Sequence, residues 1–327
     1  MQFAELPHSG TRVSRVALGT MTFGDQVDET EAGLMLEVCA EAGVTLLDTA
    51  NAYSRGASEV VLGRLLPSFD GQFLIASKAG GFPSPDAPDL PPLSREAVRA
   101  GVEGSLRRLG RDHLDIFFMH HPDPSTPILE TITEIGMLMA EGKIRSYGVS
   151  NFAAWRVAET IWTARLAGLP TLEVSELPYN LLSRRLEDDY ADYSAREKLV
   201  NVIFNPLAGG LLTGKYSASR SATAGGRFSS EERGEMYRDR YWKDTLFEAI
   251  SRLTEIAKES QLTLVGLALR WLLSRPATGS VLVGASSAAQ LKSNLAAIDG
   301  PCLADEVIAQ CDEVWQTLRG DAPAYGH

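Results

Sequence analysis

The chain has 327 residues, 44% hydrophobic and 22% charged, which admits one large globular domain or two ordinary ones. Its formal charge of −11 with no Lys/Arg stripe argues against nucleic acid as a partner, and three cysteines without CxxC or HxxH spacing argue against a disulfide framework or a metal site. The first dozen residues lack the apolar core of a signal peptide, and no apolar run nears the roughly 18 residues that cross a bilayer. A reduced, cytoplasmic protein with no membrane contact is therefore expected, as a monomer or homo-oligomer.

From Arg15 onward, short β-branched runs alternate with amphipathic stretches of helical period. The extended runs are Val16–Leu18, Thr45–Leu47, Phe73–Ile75, Asp115–Phe118, Ser146–Val149, Leu172–Val174, Val202–Phe204 and Val281–Val283. Cys39 falls in a helical stretch between the first two and reads as a small core residue. Ser94 caps a helix whose Val98, Val102, Leu106 and Leu109 share one face before Gly110 ends it. Ile128, Ile132 and Ile135 repeat the pattern, with a stop at Gly142.

Eight parallel strands suit a doubly wound sheet or a closed (β/α)8 TIM barrel. An open dinucleotide-binding sheet needs GxGxxG after its first strand, and Gly19-Thr20-Met21-Thr22-Phe23-Gly24 does not supply it. The barrel is the expected fold, one α/β domain over residues 1–327 with no linker dividing it. Two long loops, Gly80 to Leu93 with five prolines and Tyr216 to Asp244, stand out of the repeat at the C-terminal mouth, where long loops tend to serve function. Gly209 to Lys215 matches a phosphate loop until Tyr216 replaces the magnesium-holding Ser/Thr, and no serine has the glycines of a nucleophile elbow.

In a barrel, residues just past the strand C-termini converge on one mouth. Here they are Asp48, Tyr53, Lys78, His120 or His121, Ser150, Asn151 and Glu176. Singly, each has a bland reading as a cap, a solvated strand end or a backbone-bonded histidine. Together, Tyr, Lys, Asp and His suit proton delivery to a carbonyl oxygen. Free tyrosine titrates near pH 10, so a cation, Lys78, is expected to lower it, Asp48 to hold Lys78, and a histidine to steer the carbonyl. A proton donor without nucleophile or metal implies hydride from a nicotinamide.

These residues resemble the aldo-keto reductases. The likeness is carried by Asp48-Thr49-Ala50-Asn51-Ala52-Tyr53, by Lys78, and by His120 in Asp115 to Pro122, and it runs from Gly19 to Trp315. Within that family the chain is most similar to the aflatoxin-aldehyde/succinic-semialdehyde reductase branch, through Ser150 to Trp155, Asn205 to Tyr216, Arg240 to Trp242 and Gly284 to Ser287.

The resemblance implies a barrel capped at its base by an N-terminal β-hairpin within Met1 to Val13. It also implies NADPH in preference to NADH, and His120 rather than His121 in the site. Asp48, Tyr53, Lys78 and His120 are then the catalytic set. It places Gly19, Thr20, Met21 and Asp48 beside the cofactor, Ser150 and Asn151 at the carboxamide, and Phe204, where the family often has Tyr, against the ring. Asn205, Pro206, Leu207, Gly209 and Leu211 follow the pyrophosphate, with Lys215 and Arg227 as cationic contacts. Gly284, Ser286, Gln290 and Asn294 fall at the adenosine end. Core packing for Phe204 and a plain N-cap for Ser286 are the bland alternatives.

The substrate pocket is expected from Met21, Phe23, Tyr53, Phe82, His120 and Asn151, with the long loops and the tail from Arg319. Glu176 departs from the pattern, because the family usually has Gln there. An ionised carboxylate accepts but cannot donate. Glu176 could be charged, could be kept protonated by burial and imitate the amide, or could turn away to Arg184 or Lys215. The expected activity is NAD(P)H-dependent reduction of an aldehyde or ketone, with Tyr53 as the acid. Reduction of a conjugated or imine bond or a sugar-nucleotide intermediate, and a non-catalytic NADPH-binding subunit, are the alternatives.

Overall fold

Two short strands, β1 (Phe3–Glu5) and β2 (Arg12–Ser14), pair antiparallel and lead into eight parallel strands that close on themselves. The computed structural model describes residues 1–69, 71–81, 84–216, 228 and 234–320. The barrel strands are β3 (Val16–Gly19), β4 (Leu46–Asp48), β5 (Leu74–Ala79), β6 (Leu114–Met119), β7 (Ile144–Ser150), β8 (Val174–Pro178), β9 (Val200–Phe204) and β10 (Ser280–Val283). β10 pairs with both β9 and β3, which completes the ring. This is the (β/α)8 barrel that the alternating pattern predicts, and β1–β2 form the hairpin.

Helices α1 (Glu29–Ala42), α2 (Ala57–Leu65), α3 (Arg95–Leu109), α4 (Ile128–Ala140), α5 (Ala154–Leu166) and α6 (Tyr190–Glu197) each follow one strand. Between β9 and β10 come α7 (Gly234–Tyr241), α8 (Asp244–Glu259) and α9 (Leu264–Ser274). After β10 come α10 (Ala288–Ile298) and α11 (Asp305–Arg319), the latter packed against α8. In α3 the Ser94 hydroxyl accepts from the Ala97 N–H, the predicted apolar face is buried, and Gly110 at φ 63° stops the helix. Cys39 is fully buried in α1.

The expected strands differ from the observed ones by a residue or two at their ends, and two differ more. β5 runs on through Lys78, and β8 begins at Val174, where the predicted segment ends. Their mouth-side halves carry Ser77, Lys78, Ser175 and Glu176, polar residues that hide the apolar signal of a strand.

Side chains alternate along a strand, so each barrel strand sends every second residue inward. Ala17, Leu46, Ala76, Ile116, Phe118, Val174, Val202 and Leu282 form the inner core. Leu6 and Val13 of the hairpin join it and are fully buried, plugging the base. The remaining apolar residues fill the layer between strands and helices. Gly148 is required where β7 and β8 close up, since a Cβ there would collide with the Val174 carbonyl. The buried Glu173 pins the hairpin by accepting from the His8 and Ser9 N–H groups and from the Ser146 hydroxyl.

Leu6→Ala is expected to lower stability by about 2–5 kcal/mol, the usual range for a buried leucine. Urea unfolding checks this as a fall in midpoint at constant slope.

Candidate active site

The inward rows lead to the mouth. Two residues beyond Leu46, Ala76, Phe118, Gly148, Val174, Val202 and Leu282 stand Asp48, Lys78, His120, Ser150, Glu176, Phe204 and Gly284. The same phase turns all of them toward the barrel axis. Tyr53 reaches them from the turn after β4, where Ser54 and Arg55 take left-handed backbone conformations at φ 49° and 56° and fold the chain back toward α2.

Lys78 is the hub. Its fully buried Nζ donates to Asp48 Oδ1 at 2.5 Å and to the Thr49 carbonyl at 3.0 Å, and lies 3.3 Å from Glu176 Oε2. It also sits 5.0 Å from the centre of the Tyr53 ring. Asp48 is held by its own backbone, whose carbonyl accepts from the Thr20 N–H and hydroxyl. The His120 ring meets Tyr53 edge-on at 5.9 Å, and His121 stacks on His120 at 4.6 Å. A Cβ on Gly81 would stand 3.1 Å from His120 Nδ1, so a larger residue there would press on the imidazole.

The electrostatics differ from expectation at Tyr53. Burial, with the Asp48 and Glu176 carboxyls, outweighs Lys78 and holds the phenol above its ordinary range. Lys78 pulls the phenol down but does not bring it toward neutrality, because burial of the phenol, joined by the two carboxyls, outweighs that pull. Burial works against the Lys78 charge, but Asp48, Glu176 and Tyr53 more than restore it. Burial also raises Asp48. Glu176 is pushed up to about 8 by burial and by Asp48, against the pull of Lys78. Glu176 does not turn to Arg184, which is engaged by Glu187 and Asp312.

Around this hub the cofactor and substrate candidates occupy varied positions. Ser150 is buried, while Asn151 is exposed at φ 62° and donates to the His120 carbonyl at 3.1 Å. Phe204 is half-buried at the mouth-side end of β9. Asn205 is buried as a brace, donating to the Tyr241 hydroxyl and accepting from the Gly209 N–H. Gly209 and Leu211 are buried, Pro206 also, and Leu207 is half-buried. Lys215 is exposed, as is Ser286, whose N–H and hydroxyl both meet Gln290 Oε1. Ser287, rather than Ser286, caps α10. Asn294 is buried, and its Nδ2 has no hydrogen-bond acceptor.

Gly19 and Met21 are half-buried, and Thr20 is fully buried as the anchor of Asp48. Phe23 is fully buried in the layer between strands and helices, so it supports the mouth from behind and offers no surface to a substrate. Phe82, Arg227 and the tail beyond Gly320 lie outside the described residues. A cavity of about 590 Å³ opens at the opposite, N-terminal end of β3, beside Arg15 and Val16.

Sequence reasoning missed the frame around the post-β5 loop. Asp86 accepts a bidentate pair from Arg108 at 2.7 and 2.9 Å and a bond from Asn51 Nδ2 at 3.0 Å. Arg108 also donates to the buried Glu59 at 2.7 Å. Asp123 accepts from the Leu93 N–H at the loop's far end. Asn51 lies in the Asp48–Tyr53 string and was the available signal.

A model of the aldo/keto reductase family matches residues 15–316. The chain is 36% identical over 324 residues to an aflatoxin B1 aldehyde reductase member 2 of Rattus norvegicus, covering 94% of this chain and 86% of that protein. It is 32% identical over 331 residues to a probable voltage-gated potassium channel subunit beta of Oryza sativa subsp. japonica, covering 99% and 100%. It is 30% identical over 352 residues to Protein tas of Escherichia coli (strain K12), covering 99% and 100%. A match of this extent on a closed eight-stranded parallel barrel shows that the chain belongs to the aldo/keto reductase family and is an oxidoreductase acting on carbonyl compounds.

Proposed function

We propose that the mouth reduces an aldehyde or ketone to its alcohol, using NADPH in preference to NADH, with Tyr53 as general acid. The observation that carries this reading is the meeting of Asp48, Lys78, Tyr53 and His120 at one end of the barrel, with the phenol kept protonated. When bound, a reduced nicotinamide supplies hydride to the carbonyl carbon. Tyr53 gives its proton to the carbonyl oxygen. A raised phenol serves here, because an alkoxide is a stronger base than a phenolate, and the proton is in place throughout the neutral range. Lys78 stabilises the phenolate that remains, Asp48 keeps Lys78 charged and aimed, and His120 orients the carbonyl.

The chain's own residues fit such a cofactor. The half-buried Phe204 ring suits stacking, and Ser150 and Asn151 offer the polar pair for a carboxamide. The buried Asn294 amide lacks an acceptor nearly two turns inside α10, a helix whose N-terminus favours phosphate. In this reading residues 1–327 act as one unit. The three free cysteines support the reducing cytoplasm as its compartment, and no helix among the described residues is long and apolar enough to cross a membrane. Likeness to the rice protein named as a channel subunit supports a second reading, an NADPH-binding subunit without turnover. The four-residue set favours catalysis, since binding alone has no use for it.

Loss of reduced-nicotinamide absorbance over a panel of small aldehydes and ketones tests the activity, and no turnover with either dinucleotide would overturn it. Tyr53→Phe is expected to lower kcat by about 10²–10⁴-fold. NADPH affinity in a fluorescence titration should stay nearly unchanged. A near wild-type rate removes Tyr53 from the acid role.

His120→Ala is expected to reduce kcat/KM far more than His121→Ala, because His120 lies in phase with the inner row. Steady-state kinetics of the two variants decides the order.

A further inference from the structure

Asp48, Lys78 and Glu176 put two carboxyls and one ammonium in a fully buried space. One cation offsets one carboxylate, and a second buried negative charge would stand uncompensated. The two carboxyls share the one ammonium, with Asp48 Oδ1 at 2.5 Å and Glu176 Oε2 at 3.3 Å from Lys78 Nζ, and the second Asp48 oxygen, Oδ2, is buried with no donor. A proton on Glu176 answers both needs. It removes the excess charge and supplies the donor that Asp48 lacks.

The groups facing Glu176 leave it no other compensation. From β4 and β5 come Asp48 and Lys78, and from the turn after β4 comes Tyr53. On the flanking strands its register partners are Ser150 of β7 and Val202 of β9, neither ionisable. His120 follows β6 and meets Tyr53 edge-on. Arg184, the nearest cation along the chain, is already paired.

We propose that Glu176 is a specificity-determining residue for the redox form of the nicotinamide: it rests as a carboxylic acid hydrogen-bonded to Asp48, and on losing its proton it favours the cationic oxidised ring over the neutral reduced one. This rests on the nicotinamide reading of the mouth given above. Below its titration, near pH 8, the single O–H of Glu176 is given to Asp48, the acid carries no charge, and the oxidised ring meets no extra attraction. Above it, the added charge acts in a low-dielectric site and holds the oxidised form about tenfold more tightly relative to the reduced form.

The protonation state is tested without cofactor. A group raised by burial makes the folded protein bind more protons than the unfolded chain, so its contribution to stability is full below the unfolded carboxyl range and is lost as pH rises to the folded value. The difference in Tm between wild type and Glu176→Gln should therefore change steadily from about pH 5 to pH 8, to the disadvantage of wild type, and level off above. A flat difference over that span overturns the proposal. Infrared difference spectra of wild-type protein give the same test without a variant. A buried protonated-carboxyl band should disappear near pH 8, and its absence at pH 7 counts against the proposal.

The ligand arm measures dissociation constants of NADP⁺ and NADPH by titration from pH 6.5 to 9.5. The ratio should move about tenfold toward NADP⁺ in wild type and stay level in Glu176→Gln. Parallel ratios in the two proteins overturn the redox role even if Glu176 titrates. Failure of both dinucleotides to bind, with the Tm difference still sloping, instead sinks the nicotinamide reading and the specificity role with it, leaving the buried acid established.

Discussion

A single buried ammonium organises the mouth of this barrel. Taking Lys78 out of water costs several kcal/mol unless its hydrogen bonds and counter-charge are supplied in place. The Asp48 carboxylate and the Thr49 carbonyl supply both. That requirement fixes β4 against β5 at their C-terminal ends and places the turn that carries Tyr53. Thr20 clasps the Asp48 backbone from β3, so the constraint passes round three neighbouring strands. The low polarity that makes Lys78 demanding also pushes the Tyr53 phenol and the Glu176 carboxyl upward, against the pull of the ammonium. The shared burial, not the charge, moves these neighbours toward their protonated forms.

Much of this was legible from periodicity. Eight β-branched runs spaced by amphipathic helices define the closed sheet, and a period of two then brings Asp48, Lys78, His120 and Glu176 to one end, because each lies an even number of residues beyond an inner-core position, with Ser150 level with Glu176 in register. Caps such as Ser94 and Gly110 were readable because their chemistry is local. The mouth-side ends of β5 and β8 were harder to place, since strand propensity there gives way to residues retained for the site.

What stayed hidden depends on contacts between residues distant in sequence. Glu173 reads as part of a strand, yet its carboxylate fastens the hairpin 164 positions away. Asp86 sits in a proline-rich loop with nothing local to announce its bidentate Arg108 partner. Ser286 and Ser287 are adjacent hydroxyls, and only helix geometry decides which is the cap. The tyrosine was misjudged for a related reason. A Lys near a Tyr implies a lowered phenol only when the phenol keeps its solvent, and the full burial of Tyr53, with the Asp48 and Glu176 carboxyls beside it, is a property of the closed barrel mouth that sequence does not display.

The hairpin plug has a kinetic meaning as well as a structural one. With Leu6 and Val13 sealing the base and an apolar layer above them, Lys78, Asp48 and Glu176 have no aqueous route through the barrel's length. Protons exchange with solvent by way of the open end alone. The hairpin thereby makes the barrel a one-ended vessel, in which the packing of two apolar side chains at the floor decides from which side water meets the charged cluster.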